Sequence, residues 1–355
     1  MKQKYVHIFH NNVKTSRKNA MFDSQNNPMT EASIYKRLKN FLKQKNVHIN
    51  TYDIPLKCSS YRNIHYDLPY PIPSNYPVWK QIVLNKKKNI LICTEPPTVN
   101  PFNYIKTFHR FFLKVYTWNA ALVDDKKYFQ YKLPKSSAGI TTRARKFKDK
   151  KFLTLINSNK SPFYPFILLS PFGRELYSKR IQAIEFLETK IPDKFFLYGR
   201  GWNKPKKYSL MDRIVGYKHY ITYQGEIDNK IEVLSGFKYC ICFENLTHVK
   251  GFITEKIFDC FKARCVPIYW GATDVEHNIP KQCFIDFRDF YDYERLLAYL
   301  DSIDESAYNH YIENIERLLG DKSAMEPWFE EGYAKFFLDD VLEMKKKLRF
   351  NKNKK

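Results

Sequence analysis

Between Glu244 and Ile257 the chain reads Glu-Asn-Leu-Thr-His-Val-Lys-Gly-Phe-Ile-Thr-Glu-Lys-Ile, a polar loop that closes on a threonine, a glutamate and a lysine. These residue types suit a helix that starts against an anion. Thr254 is placed to cap the helix N-terminus, and Glu255 complements the positive end of the helix dipole. Lys256 does not. A cation in the first turn is disfavoured by roughly 0.3–1 kcal/mol, which makes sense where an anion needs backbone amides and a full positive charge together. A solvated first-turn lysine explains the spacing equally well. The loop holds one glycine, Gly251, and fits neither a Walker loop nor GxGxxG, so an anion would be gripped mainly by side chains.

The elements that must position this loop read as strand Phe237–Phe243, helix Thr254–Ala263 and strand Cys265–Trp270. In open α/β sheets ligands sit beyond the carboxyl ends of strands, at helix N-termini. Upstream, a strand Phe152–Ile156 is followed by the loop Asn157–Pro171. A helix over Arg174–Thr189 comes next, with Leu176, Tyr177, Ile181, Ile184 and Leu187 as its stripe, and then a strand Phe195–Tyr198 stopped by Gly199-Arg-Gly201. The first half alternates likewise: strand Tyr5–Phe9, helix Glu31–Lys45, strand Val47–Tyr52, strand Asn89–Cys93 ended by Pro96-Pro97, and strand Phe112–Thr117. The expected architecture is α/β, with two doubly wound parallel sheets. Its divisions are residues 1–149, residues 150–328, and a C-terminal helix and basic tail over 329–355. Glu305–Leu348 reads as mostly helical, packing back across both halves.

Length and composition agree with about two folded domains: 355 residues, 44% hydrophobic and 17% aromatic, exclude a disordered chain and a small disulfide scaffold. The net charge of +23 would attract nucleic acid, anionic lipid or a phosphorylated small molecule. Scarce glycine beside abundant Lys, Asn, Ile, Tyr and Phe follows from AT-rich coding, so the charge is discounted as evidence for any one of these. Seven cysteines, most inside apolar runs such as Tyr239–Phe243, read as small buried hydrophobes of a reducing, cytoplasmic compartment. None has zinc-site spacing, and no apolar run is long enough to span a membrane. The basic tail Met344–Lys355 is compatible with peripheral contact with an anionic inner membrane face, and equally with a solvated tail.

Cys242-Phe-Glu-Asn245, Gly251-Phe-Ile-Thr-Glu-Lys-Ile257 and Val266-Pro-Ile-Tyr-Trp-Gly271 together resemble the signature of the α-1,3/4-fucosyltransferases, glycosyltransferase family 10. Leu197–Trp202, Tyr177–Arg180, Gly225–Lys230, Ile279-Pro280 and Phe284–Phe290 extend the likeness over roughly residues 150–300. In the first half it is thinner, carried by Leu91–Glu95 and Thr117–Asp124. The resemblance implies a GT-B architecture, with an N-terminal acceptor-binding domain and a C-terminal GDP-sugar-binding domain facing a central cleft. It implies transfer of L-fucose from GDP-fucose, with inversion, to the 3- or 4-hydroxyl of GlcNAc in an LacNAc-type surface glycan.

By the same resemblance, Lys256 and Arg180 stand on the nucleotide diphosphate, Glu255 on the ribose hydroxyls, and Asn245 and Phe252 beside the nucleotide. Phe252 stands where many members carry tyrosine, and so lacks that hydroxyl. Glu95, after the strand Asn89–Cys93 and before two prolines, is the candidate general base, although a solvated loop acid reads the same way. Trp118 is a weak candidate for stacking on an acceptor sugar, since an aromatic beside an apolar strand is more often core. Asn245-Leu-Thr247 also spells a glycosylation sequon, weighed as accidental in a cytosolic chain. With no carboxylate pair placed after a strand, no obligatory metal and no other cofactor are expected, the two cations supplying the charge. Alternatives remain another GDP-deoxysugar donor, a different acceptor, and, remotely, a basic nucleic-acid-binding protein; the first reading excludes a nucleic-acid partner. Oligomeric state is not legible.

Overall fold

The computed structural model describes residues 3–10, 17–23, 32–56, 61–138, 145–160, 163–204 and 218–343. The basic tail from Met344 and the seventh cysteine, Cys58, lie outside them. The chain forms two compact units: residues 1–137 with 325–355, and residues 138–324.

The first unit is built on a parallel six-stranded sheet of order β2-β1-β3-β4-β5-β6. Its elements run β1 (Lys4–His10), α1 (Ala32–Gln44), β2 (Val47–Thr51), β3 (Arg62–Tyr66), α2 (Tyr76–Leu84), β4 (Asn89–Cys93), α3 (Lys106–His109), β5 (Lys114–Thr117) and β6 (Tyr128–Gln130). Strand β4 is buried along its whole length. Its alternate residues enter two different cores: Ile90 and Ile92 pack with residues of α1, whereas Leu91 and Cys93 pack with Ile82 of α2 and Phe112. Period-two side chains feeding cores on both faces make this a doubly wound layer, and they explain the unbroken apolar run in the sequence.

The second unit holds a parallel five-stranded sheet of order β13-β12-β10-β7-β9, with a small antiparallel pair β11-β8. Its elements are β7 (Lys151–Ile156), α4 (Tyr164–Leu168), β8 (Arg174–Glu175), α5 (Tyr177–Lys190), β9 (Phe195–Tyr198), α6 (Lys230–Ser235), β10 (Phe237–Phe243), β11 (Leu246–Thr247), α7 (Glu255–Lys262), β12 (Val266–Trp270), β13 (Ile285–Asp286), α8 (Tyr293–Ser302) and α9 (Glu305–Gly320). Along β10, Tyr239, Ile241 and Phe243 enter one core, while Cys240 and Cys242 lie on the other side against Cys260 of α7. All six described cysteines are free and buried, as small core residues should be.

Three expectations need correction. The helix expected from Arg174 starts at Tyr177, because Arg174 and Glu175 pair instead with Thr247 and Leu246. The units divide after residues 137 and 324, where the expected boundaries are 149 and 328. The reason is that Lys135 donates its backbone N–H to Trp328 O at 2.7 Å, tying the end of the first segment to the returning chain. Nor is the segment after 328 a separate appendage. Helix α10 (Glu330–Phe336) and the π-helical turn Phe337–Val341 bury Tyr333, Phe337 and Val341 in the first unit's core, whereas α9 belongs to the second unit.

Candidate functional site

Strand β10 delivers the chain to Glu244, whose N–H still bonds Trp270 O at 2.8 Å before the chain turns out of the sheet. The β11–β8 ladder then fixes the loop against the start of α5, with Leu176 N–H donating to Asn245 O at 3.1 Å. The Glu175 carboxylate accepts Ser178 N–H at 3.0 Å and so serves an orphan donor of the first turn of α5. One turn in, Arg180 is 5% exposed and donates from Nη2 to Glu244 O and to Asn245 Oδ1, both at 2.6 Å. Its guanidinium sits 4.8 Å from the Tyr177 ring centroid. The buried Nε–H has no acceptor among the described residues. Burial lowers the Arg180 pKa despite the opposing Tyr177 and Glu244, but a guanidinium stays charged.

The centre of the arrangement is Glu244, a side chain with no exposure. Its Oε1 accepts Thr254 N–H at 2.7 Å, and its Oε2 accepts Thr254 Oγ1–H at 2.7 Å and Lys256 Nζ at 3.2 Å. Thr254 therefore occupies the N-cap position of α7 without capping it: its hydroxyl is turned to Glu244, which corrects the capping expectation. Lys256 also donates to Thr254 Oγ1 at 3.0 Å and lies 3.5 Å from Glu255. Burial pushes the Lys256 pKa down, but Glu244 and Glu255 more than offset it, so the ammonium is held charged above its ordinary range. Gly271 is required at the rear, since a Cβ there would fall 2.4 Å from the Tyr269 hydroxyl and 2.6 Å from Glu244 Cγ.

The structure thus gathers four of the residues named from sequence around one buried carboxylate: Arg180, Asn245 and Lys256 lie in or beside its bonds, and Glu255, 47% exposed, flanks Lys256. Two cations in low dielectric, one retaining an unpaired N–H, make a site suited to an anion with several oxygens. Phe252 differs from expectation. It is 2% exposed, so its ring packs in the core and offers no open contact face.

In the first unit, Glu95 is exposed two residues beyond the end of β4, at the start of the turn that follows it. Its backbone is pinned on both sides: the N–H donates to Asp67 Oδ1 at 3.0 Å, and the carbonyl accepts Tyr104 OH at 2.8 Å. Asp67 also accepts Thr94 N–H at 2.7 Å, the Thr94 hydroxyl and the Asn103 side-chain amide. Burial raises the Asp67 pKa, against the lowering effect of those donors. Trp118 is fully buried, with its ring edge-on to Tyr104 at 6.1 Å, so no face is open to a sugar and its assignment as an acceptor contact is corrected.

Glu244, Asp67 and Gly271 were not singled out from sequence. An acid directly after a largely apolar strand, interrupted only by Lys238, is the available signal for Glu244. Asp67, with φ of 62°, shows no linear signal at all. Among the described residues no three His, Cys, Asp or Glu side chains converge as a metal site, and no helix is long and apolar enough to cross a membrane.

Residues 174–318 match the family model described as glycosyltransferase family 10 (fucosyltransferase), C-terminal part. The chain is 36% identical over 74 residues to an alpha-(1,3)-fucosyltransferase of Helicobacter pylori, covering 21% of this chain and 15% of that protein. An alpha-(1,4)-fucosyltransferase of Arabidopsis thaliana is 35% identical over 80 residues, 22% of this chain and 20% of its own length. The chain thus spans a fifth or less of the length of these two relatives. Among solved structures, an alpha1,3-fucosyltransferase superposes with a TM-score of 0.53 at 16% identity, over 88% of this chain and 81% of that one. A Rickettsia africae glycosyltransferase reaches 0.57 at 8% identity, over 96% and 98%. These likenesses show the fold, the two-unit Rossmann-like α/β class of GT-B glycosyltransferases.

Proposed function

We propose that this chain, whose residues 174–318 match the C-terminal model of glycosyltransferase family 10, the fucosyltransferases, transfers L-fucose from GDP-fucose to a GlcNAc hydroxyl. The observation that carries the reading is the coincidence of the matched segment with the buried cluster Arg180, Asn245, Glu244 and Lys256. A solved alpha1,3-fucosyltransferase with a TM-score of 0.52 to this chain is described with GDP.

In the proposed reaction the acceptor oxygen bonds to the anomeric carbon from the face opposite the nucleotide, inverting it. The bond from that carbon to the β-phosphate oxygen breaks, and GDP leaves with the electron pair. Arg180 and Lys256 meet the charge that grows on the departing diphosphate, which is the largest electrostatic demand of the step. Glu255 accepts from the ribose hydroxyls, and Asn245, held by Arg180, lines the nucleotide. Glu95 takes the proton of the attacking hydroxyl, a contribution of ~10²–10⁴ in rate. The two cations do the work a divalent metal does elsewhere, so the proposed reaction needs neither metal nor cofactor. The partners proposed are the donor and a LacNAc-type acceptor, in the cytoplasm or at the inner face of a membrane, with no nucleic acid.

The test is GDP release from a panel of GDP-sugars, with and without Galβ1,4GlcNAc and with excess chelator. Acceptor-dependent turnover of GDP-fucose that survives chelation is expected. Turnover of another GDP-deoxysugar in its place would move the donor assignment. Salt-sensitive oligonucleotide binding with no turnover would discard the reading.

A further inference from the structure

Helix α2 shows the solvent a face that water does not favour, and we propose that this face of the first unit docks on an anionic lipid surface. The proposal stands independently of the donor chemistry. Ile82 is fully buried, and Val78 and Trp79 pack partly buried against the same core. At 100° per residue the opposite face carries Tyr76, Lys80, Val83 and Leu84. An outward helix face in a soluble domain is ordinarily polar or charged. Here Tyr76 is 66% exposed, Val83 47% and Leu84 67%, and Ile72, one turn before the helix, is 50% exposed. Among the described residues of the first unit, the exposed large hydrophobics all lie between Ile72 and Leu113, so within this unit the apolar exposure is local and not scattered.

Charge decides the occupant. No Asp or Glu occurs between Asp67 and Glu95, whereas Lys80 sits within the apolar face and Lys86, Lys87 and Lys88 follow directly at its end. A neighbouring strip repeats the combination, with Ile105 exposed beside Lys106 and Arg110, and the contact of Trp79 with Phe108 at 5.0 Å fastens α2 to α3. A second copy would bring lysines against lysines. At the boundary between headgroups and acyl chains both halves of the pattern are met at once: the apolar side chains enter the hydrocarbon edge, and the ammonium groups reach lipid phosphates.

Sedimentation of the full chain with phosphatidylglycerol-containing vesicles, and with pure phosphatidylcholine vesicles, tests this. We expect binding to the anionic vesicles. Replacing Tyr76, Val83 and Leu84 by Ser, or Lys80, Lys86 and Lys87 by Gln, should lower the partition coefficient on the order of 10²-fold, at unchanged melting temperature. Exposed Lys160, Lys190 and Lys322 changed to Gln form the control of equal charge, and should leave binding within about threefold. Brominated-lipid vesicles should quench indole fluorescence, and Trp79→Phe should remove that quenching. Equal losses in the control set, unchanged binding of the serine variant, quenching unaffected by Trp79→Phe, or a lipid-free dimer abolished by the serine variant would each overturn the proposal.

Discussion

The loop after β10 and the turn after β4 occupy equivalent places, each at the carboxyl end of a buried parallel strand, yet the buried carboxylate at each gathers different partners. In the second unit a buried carboxylate, Glu244, fixes a cation: Lys256 and both donors of Thr254 converge on it while Arg180 bonds its carbonyl. In the first unit a buried carboxylate, Asp67, gathers neutral donors: two consecutive N–H groups, the Thr94 hydroxyl and the Asn103 amide end on it, and the side chain of interest, Glu95, is left at the surface. The difference separates two needs. Meeting a leaving group's charge calls for cations fixed in low dielectric, where they need no reorganisation, whereas a base must approach a mobile hydroxyl and exchange its proton.

The contrast is broken most sharply at Glu95. Glu95→Gln preserves the backbone bonds and removes only the basic oxygen, so the transfer rate should fall ~10²–10⁴-fold with GDP affinity unchanged. Single-turnover kinetics alongside calorimetric GDP titration read both quantities, and near-normal turnover would remove Glu95 from the reaction. Glu244→Ala tests the other carboxylate. It strands Lys256 and the Thr254 donors in the interior, and should cost about 3–5 kcal/mol of stability by urea unfolding. A variant as stable as the parent would show that the cluster is solvated.

Next in size come the cations. Arg180→Ala and Lys256→Ala each remove a charge-assisted contact worth ~1.5–3 kcal/mol, so GDP should bind roughly 10- to 150-fold more weakly. Lys256 has a further pH signature. Its pKa is raised in the folded state, so its stabilising contribution is complete below the ordinary lysine value of 10.5 and is lost as pH rises through the raised one. Lys256→Met should flatten that alkaline limb of the unfolding curve.

What could be read from the chain follows the same division. Strands β4, β9 and β10 stand at the bounds expected for them: β4 and β10 are central and buried almost throughout, which writes itself as near-continuous hydrophobicity, whereas β9, at the sheet edge, is a short aromatic and apolar run closed by Gly199. Strand β3 has no such signature, since Asn63 and His65 interrupt it with polar residues that are nonetheless buried. The β8–β11 ladder is two residues long and set by partners far apart in sequence, so no local pattern announces it, and α5 begins three residues after the expected Arg174 in consequence. Lys256 draws attention as a cation in a first helical turn, and Arg180 is legible only through the family resemblance. Their organiser is less so: Glu244 follows a largely apolar strand, but that position alone does not separate an acid pointing inward from a solvated one.

The smallest expected effect concerns Asp67, and it asks whether backbone support alone matters at the β4 turn. Asp67→Asn keeps an amide oxygen that can still accept the Thr94 and Glu95 N–H groups, and changes chiefly the oxygen facing the Thr94 hydroxyl. The loss should be about 1 kcal/mol, the net worth of one hydrogen bond. The pH dependence carries more information than the size. An acid whose folded pKa is raised releases its proton more readily when unfolded, so stability falls as pH climbs from the ordinary carboxylate value of 3.8 toward the raised one. Asn cannot titrate, so the variant should lose that slope while the parent keeps it. If both curves slope alike, burial is not shifting the Asp67 proton, and the support of the Glu95 turn must be assigned to Asn103 and Tyr104 instead.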